Sequence, residues 1–182
     1  MRPLFNVQGK SFWISWITIL LANSCLMTVE IAASRLLAPY IGVSLLAWAG
    51  VIGVVFVAMA LGYGLGGYVA DRVSSVRVVS GALLAAGASV ALMPFLSRYV
   101  GSFLVSTNLS LATDAFLVSA STLFVPSVFL AAIHPYLAKR ITPDSERAGR
   151  SIGLLNAAAA VGSILGTFAT GFIWLMWVSV PI

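Results

Sequence analysis

Charged positions are few along this chain and leave long apolar intervals between them. Lys10 and Glu30 bracket one interval without a charge, Arg35 and Asp71 a second, Arg77 and Arg98 a third, and Asp114 and Lys139 a fourth; no charge follows Arg150. About 20 apolar residues cross the hydrocarbon core of a bilayer as a helix; the first interval, of 19 residues, falls one short of that length and the others reach or exceed it. The intervals therefore predict five spans, at roughly 12–34, 45–70, 78–97, 114–138 and 151–177. A transmembrane strand would instead alternate apolar and polar residues over about ten positions. The run Val51-Ile-Gly-Val-Val-Phe-Val-Ala-Met-Ala60 does not alternate, and helices are what satisfies the backbone of such a run inside lipid. The expected fold is an all-α polytopic transmembrane bundle over 12–182, preceded by a short arm, residues 1–11.

Composition sharpens this picture. Of 182 residues, 60% are apolar and 8% charged, with a mean hydropathy of +1.05. A soluble domain carries about 25% charged residues, so a soluble enzyme, a disordered tail and a disulfide-stapled secreted domain are excluded. The loops between the spans are too short to fold alone, and no convincing internal repeat is expected. The first apolar run, about 22 residues, is longer than the usual core of a cleaved signal, and Glu30 follows within the same helix. Cys25 is the single cysteine, which excludes an internal disulfide.

The basic residues set an expected orientation. With the N-terminus inside, Arg2, Lys10, Arg72, Arg77, Lys139, Arg140, Arg147 and Arg150 are cytoplasmic, and only Arg35 and Arg98 lie outside. The net charge of +5 is thus read as a topology signal. It is not a nucleic-acid footprint, because the basic residues do not interleave with aromatics. Pro39 and Gly42 predict a tight outer turn over 36–42, and residues 98–113 are expected to form one long outer loop.

Few residues are candidates for chemistry. Gly62-Tyr-Gly64-Leu-Gly66-Gly67 contains the letters of a dinucleotide-binding turn, but it follows an apolar helix where that site requires a strand. Gly62 and Gly66, like Gly162 and Gly166, stand four apart on one helix face, a spacing that lets helix backbones approach closely. A contact between spans two and five is one expectation; self-association of the chain through either face is the other.

Glu30 lies inside the first span, where an ionisable group marks a functional site by default. Two readings stand: a polar or proton-coupling group facing a cavity, or an ion pair with Arg35, joined by Arg98 and Asp114, that fixes the outer helix ends. Asn23, Ser24 and Asn156 are expected to make interhelical hydrogen bonds. His134 is the only histidine and has no cysteine or carboxylate beside it. No catalytic residue, metal site or cofactor is therefore expected.

The segment Gly67-Tyr-Val-Ala-Asp71-Arg72-Val-Ser-Ser-Val-Arg77 resembles the loop after the second helix of major facilitator transporters. There Asp71 would pair with a basic side chain and cap the next helix. The longer blocks Glu30-Ile-Ala-Ala-Ser-Arg35-Leu-Leu-Ala-Pro39-Tyr-Ile-Gly42-Val-Ser44, Trp48 to Gly53, Ala60 to Arg72, and Ala148-Gly-Arg150-Ser-Ile-Gly-Leu-Leu-Asn156 with Gly162 to Thr167 are similar to the membrane portion of fused spermidine-synthase-like proteins. The resemblance runs from about 25 to 175. It implies a membrane domain that works with a Rossmann-like polyamine aminopropyltransferase, none of whose catalytic residues is present. The signature positions that transfer are Glu30, Arg35, Asp71, Arg72, Arg150 and Asn156. The expected function is to anchor or serve such a soluble partner in a bacterial inner membrane. The alternative is a small oligomeric transporter-like module for a cation or polyamine. The expected partners are the lipid bilayer, the aminopropyltransferase and a second copy of the chain, and no nucleic acid.

Overall fold

The computed structural model describes residues 9–107, 110–141 and 148–174. The arm before Gly9 with Arg2, the loop 142–147 with Arg147, and the part of the fifth predicted span beyond 174 lie outside the described residues. Five helices make up nearly everything described: α1 (Gly9–Ile41), α2 (Leu45–Arg72), α3 (Val76–Val105), α4 (Leu111–Ile141) and α5 (Ala148–Phe168), the last continued by a π-helical turn, Ala169–Trp174. All five are long and apolar enough to cross a membrane. The chain is an integral membrane bundle, and α1, α3 and α5 run opposite to α2 and α4.

The turns have local causes. Gly42, at φ +70°, takes the left-handed conformation that ends α1. Ser44 then caps α2, accepting the Ala47 N–H at 3.2 Å. Ser75 caps α3 through the Arg77 N–H at 3.3 Å, and Ser110 receives the Thr113 N–H at 3.3 Å where α4 begins.

Two helices outrun their predicted ends. α1 does not stop near Arg35 but passes through Pro39 to Ile41, because Leu37 and Ile41 are buried in the core and hold the last turns there. α3 continues to Val105, so the expected loop 98–113 shrinks to a short connection. Leu104 is buried, and Gly101 lies against the ring of Tyr40, where an added Cβ would come within 2.5 Å of the ring carbons. Tertiary packing, absent from a hydropathy profile, extends both helices.

The centre of the bundle is α4, against which α1, α2 and α3 all pack. One apolar cluster joins Val29, Ala33 and Leu37 to Val51, Val54, Met93, Val118 and Leu123; a second joins Ile19, Ala22 and Leu26 to Leu130, Ile133, Leu137 and Leu155. α5 packs mainly on α1.

The glycine pairs mark two parallel seams. An added Cβ at Gly62 would sit 2.5 Å from the Val128 carbonyl oxygen and 2.8 Å from the Ala131 Cβ, and one at Gly66 would collide with the Ala132 carbonyl. Those contacts seat α2 on α4. Gly162 meets the Leu20 carbonyl and Gly166 the Ser24 carbonyl, which seats α5 on α1. The expected contact between spans two and five does not form: α2 and α5 share no seam among the described residues. The same glycine device therefore recurs in opposite directions, a structural repeat that the residues themselves do not display.

Candidate functional site

Glu30 stands four residues after Leu26 and three before Ala33, both buried, and so shares their core-directed side of α1. It is half-buried itself. The expected ion pair with Arg35 does not form, and no ion pair or hydrogen bond joins Glu30 to another described residue. Five residues place two side chains about 140° apart around a helix, so Arg35 points away and is exposed. Arg98 is also exposed. Asp114 has one carboxylate oxygen buried without a partner.

The neighbours of Glu30 on α1, Val29 and Ala33, share the first apolar cluster with Val118 and Leu123 of α4. That stretch of α4 contains two fully buried hydroxyls. Thr122 donates to the Val118 carbonyl at 2.8 Å, whereas Ser119 has no partner. Ser127, two turns further on, is likewise buried and unpartnered. Burying a hydroxyl without a hydrogen bond is unfavourable, so α4 carries a row of unsatisfied polar groups in an otherwise apolar interior.

A second polar group gathers toward the opposite end. The His134 ring lies 6.2 Å from that of Tyr63, and the side chain of Asn156 lies close to it. This joins α2, α4 and α5. Asn156 of α5 thus comes near a residue of α4. Asn23 stays within its own helix, its amide donating to the Ile19 carbonyl at 3.0 Å. Ser24 contributes its backbone carbonyl to the Gly166 contact.

The end holding the α2–α3 turn is basic, with Arg72, Arg77, Lys139, Arg140 and Arg150 all exposed. Asp71 pairs with Lys139 and so ties α2 to α4. It does not cap α3, a role Ser75 takes. Arg72 lies over the Tyr68 ring, 3.6 Å from its centroid. Tyr136, fully buried, holds the turn from below. Its hydroxyl accepts the Ser75 N–H at 3.0 Å and faces the carbonyls of Ser75, at 2.7 Å, and Val73, at 3.0 Å, donating its one proton to either. In the sequence Tyr136 is marked only as a tyrosine near the end of an apolar helix, beside a basic loop.

Among the described residues no group of three His, Cys, Asp or Glu side chains is placed to hold a metal. No family model, no curated protein and no solved structure matches this chain.

Proposed function

We propose that this chain is the membrane module of a polyamine aminopropyltransferase system, and that it anchors or serves a soluble catalytic partner at its basic end. What supports the reading is its resemblance to the membrane portion of fused spermidine-synthase-like proteins. The observation that carries it is spatial. Two resembling blocks, one ending at Asp71-Arg72 and one starting at Ala148, come to the same end of the bundle. There the turn between α2 and α3 is held by Tyr136 and by the Asp71–Lys139 pair. A held turn with five exposed basic residues is a docking face for an acidic protein surface. By the positive-inside rule this end is cytoplasmic, with the N-terminus inside a bacterial inner membrane.

Native mass spectrometry of the chain, extracted gently from its own membranes, tests the reading. A bound soluble protein of nucleotide-fold size that transfers aminopropyl groups is expected, and Arg72→Glu with Arg150→Glu should release it. Recovery of the chain without such a partner would overturn it.

One observation favours a second reading, an oligomeric module that moves a cation or polyamine. Glu30 lies on the core side of α1 without a counter-charge among the described residues, and the two glycine seams repeat in opposite directions, as in transporters built from inverted repeats. Cation flux into liposomes should then vanish in Glu30→Gln while the protein still inserts; unchanged flux would end this reading.

A further inference from the structure

Two consecutive helices, α2 and α3, pack on α4 but scarcely on each other. The gap between them is a groove with a cavity of about 270 Å³. Leu65 and Val69 of α2 form one wall, Val78 and Ala82 of α3 the other, and Phe129 and Tyr136 of α4 the floor. Arg72 ends the first wall, and Arg77 stands in the first turn of the second. We infer that this groove binds an anionic phospholipid, with the headgroup phosphate between Arg72 and Arg77 and the start of one acyl chain between α2 and α3.

Polarity is the first argument. α2 and α3 are 28 and 30 residues long, about 42 and 45 Å at a rise of about 1.5 Å per residue, against roughly 30 Å for the hydrocarbon core. The arginines at their joined ends therefore lie beyond the core, at headgroup depth. The walls lie inward of both. Leu65 is seven residues before Arg72 and Ala82 five after Arg77, about 10 and 8 Å deeper, which is acyl-chain depth in the same leaflet. The cationic end of the groove thus faces the headgroups and its apolar length faces the chains.

Chemistry is the second argument. Tyr136 is the only polar side chain in the lining, and its hydroxyl is engaged with the turn, so the groove has nothing to offer a polar occupant. The Arg72 guanidinium lies over the Tyr68 ring, a stacking that leaves the N–H donors along its edge to form a planar fork for phosphate. Neither Arg72 nor Arg77 forms an ion pair among the described residues, and Asp71, the carboxylate next to Arg72, is taken up by Lys139. Two cations at the mouth favour a head with net negative charge and disfavour one that adds a quaternary ammonium. The groove is reached from the bilayer, so the site does not depend on a soluble partner.

The experiment is native mass spectrometry of the whole chain from mixed micelles containing equal phosphatidylglycerol and phosphatidylcholine. The chain should retain phosphatidylglycerol preferentially. Arg72→Gln and Arg77→Gln should each reduce that retention roughly fivefold, about what one basic residue contributes at an anionic surface. Arg150→Gln, an exposed arginine at the same end but on the edge helix α5, should leave it unchanged; an equal fall there would mean diffuse surface attraction and overturn the site. Ala82→Leu, which fills the groove while keeping both arginines, should also lose the lipid, and it decides the matter if the arginine variants fail to accumulate. Equal retention of both lipids, or retention unaffected by Ala82→Leu, would overturn the site. Displacement of the lipid by millimolar inorganic phosphate would show that the arginines take a free anion, and would overturn the lipid assignment. A dimer without lipid that is lost in Ala82→Leu would give the groove to a second copy of the chain, and would overturn it as well.

Discussion

Two seams in this bundle use the same device and differ in what surrounds them. In one, Gly62 and Gly66 of α2 meet carbonyls of α4; in the other, Gly162 and Gly166 of α5 meet carbonyls of α1. α4 is the central helix, with half of its apolar window buried, whereas α5 is an edge helix with 22% of its window buried. The outer face of α5, including Ile152, Ile164, Leu165 and Phe168, is exposed. Polar ties also differ. The α2·α4 seam ends in the Asp71–Lys139 pair and the Tyr136 hydroxyl. The α1·α5 seam continues its four-residue register, 20 with 162 and 24 with 166, into a 3.0 Å hydrogen bond from Thr170 to Thr28. One sequence pattern thus serves two mechanical roles. Its energetic weight depends on whether either helix of the seam has room to move aside.

The comparison breaks most visibly at the glycines. Gly66→Val drives a branched side chain into the α4 backbone, which is hemmed in by three helices, and should cost about 3 kcal/mol, at the upper end of overpacking effects. Gly166→Val presses on the α1 backbone, but the helix that carries it, α5, lies at the edge and can slide outward into lipid, and about 1 kcal/mol is expected. Unfolding of reconstituted protein by denaturing detergent measures both, and equal losses would refute the distinction between centre and edge. Tyr136→Phe comes next: it leaves the Ser75 N–H without its acceptor and should cost about 1 kcal/mol. Faster hydrogen exchange of the 73–76 amides would localise that effect. Thr170→Val removes one hydrogen bond in the edge seam, worth about 0.6 kcal/mol in membrane proteins, and detergent denaturation should register that small loss. Asp71→Asn should matter least. Both partners of its pair are more than half exposed, and such pairs contribute about 0–1 kcal/mol; a larger loss would mean that the pair, more than Tyr136, holds the turn.

Much of the architecture was legible along the chain, and particular residues show where legibility stopped. All five spans follow from the spacing of charges, since one ionised side chain at the bilayer centre is enough to exclude a position. The end of α3 was not legible, because Gly101 and Leu104 extend the helix through contacts with a distant ring and a distant core. Glu30 stood out at once, but its expected pairing with Arg35 failed on helix geometry, the two residues pointing to different sides. His134 looked isolated in sequence and meets Tyr63 and Asn156 only because three helices converge.

Hydropathy is a local property, so the sequence by itself determined that the chain crosses a membrane, where each crossing lies and which faces carry glycine. Which helices become neighbours was decided only in three dimensions. Lipid tails are as apolar as the side chains that face them, so no hydrophobic gain distinguishes one partner helix from another. Close backbone fit chooses instead, and it placed α2 on α4 and α5 on α1.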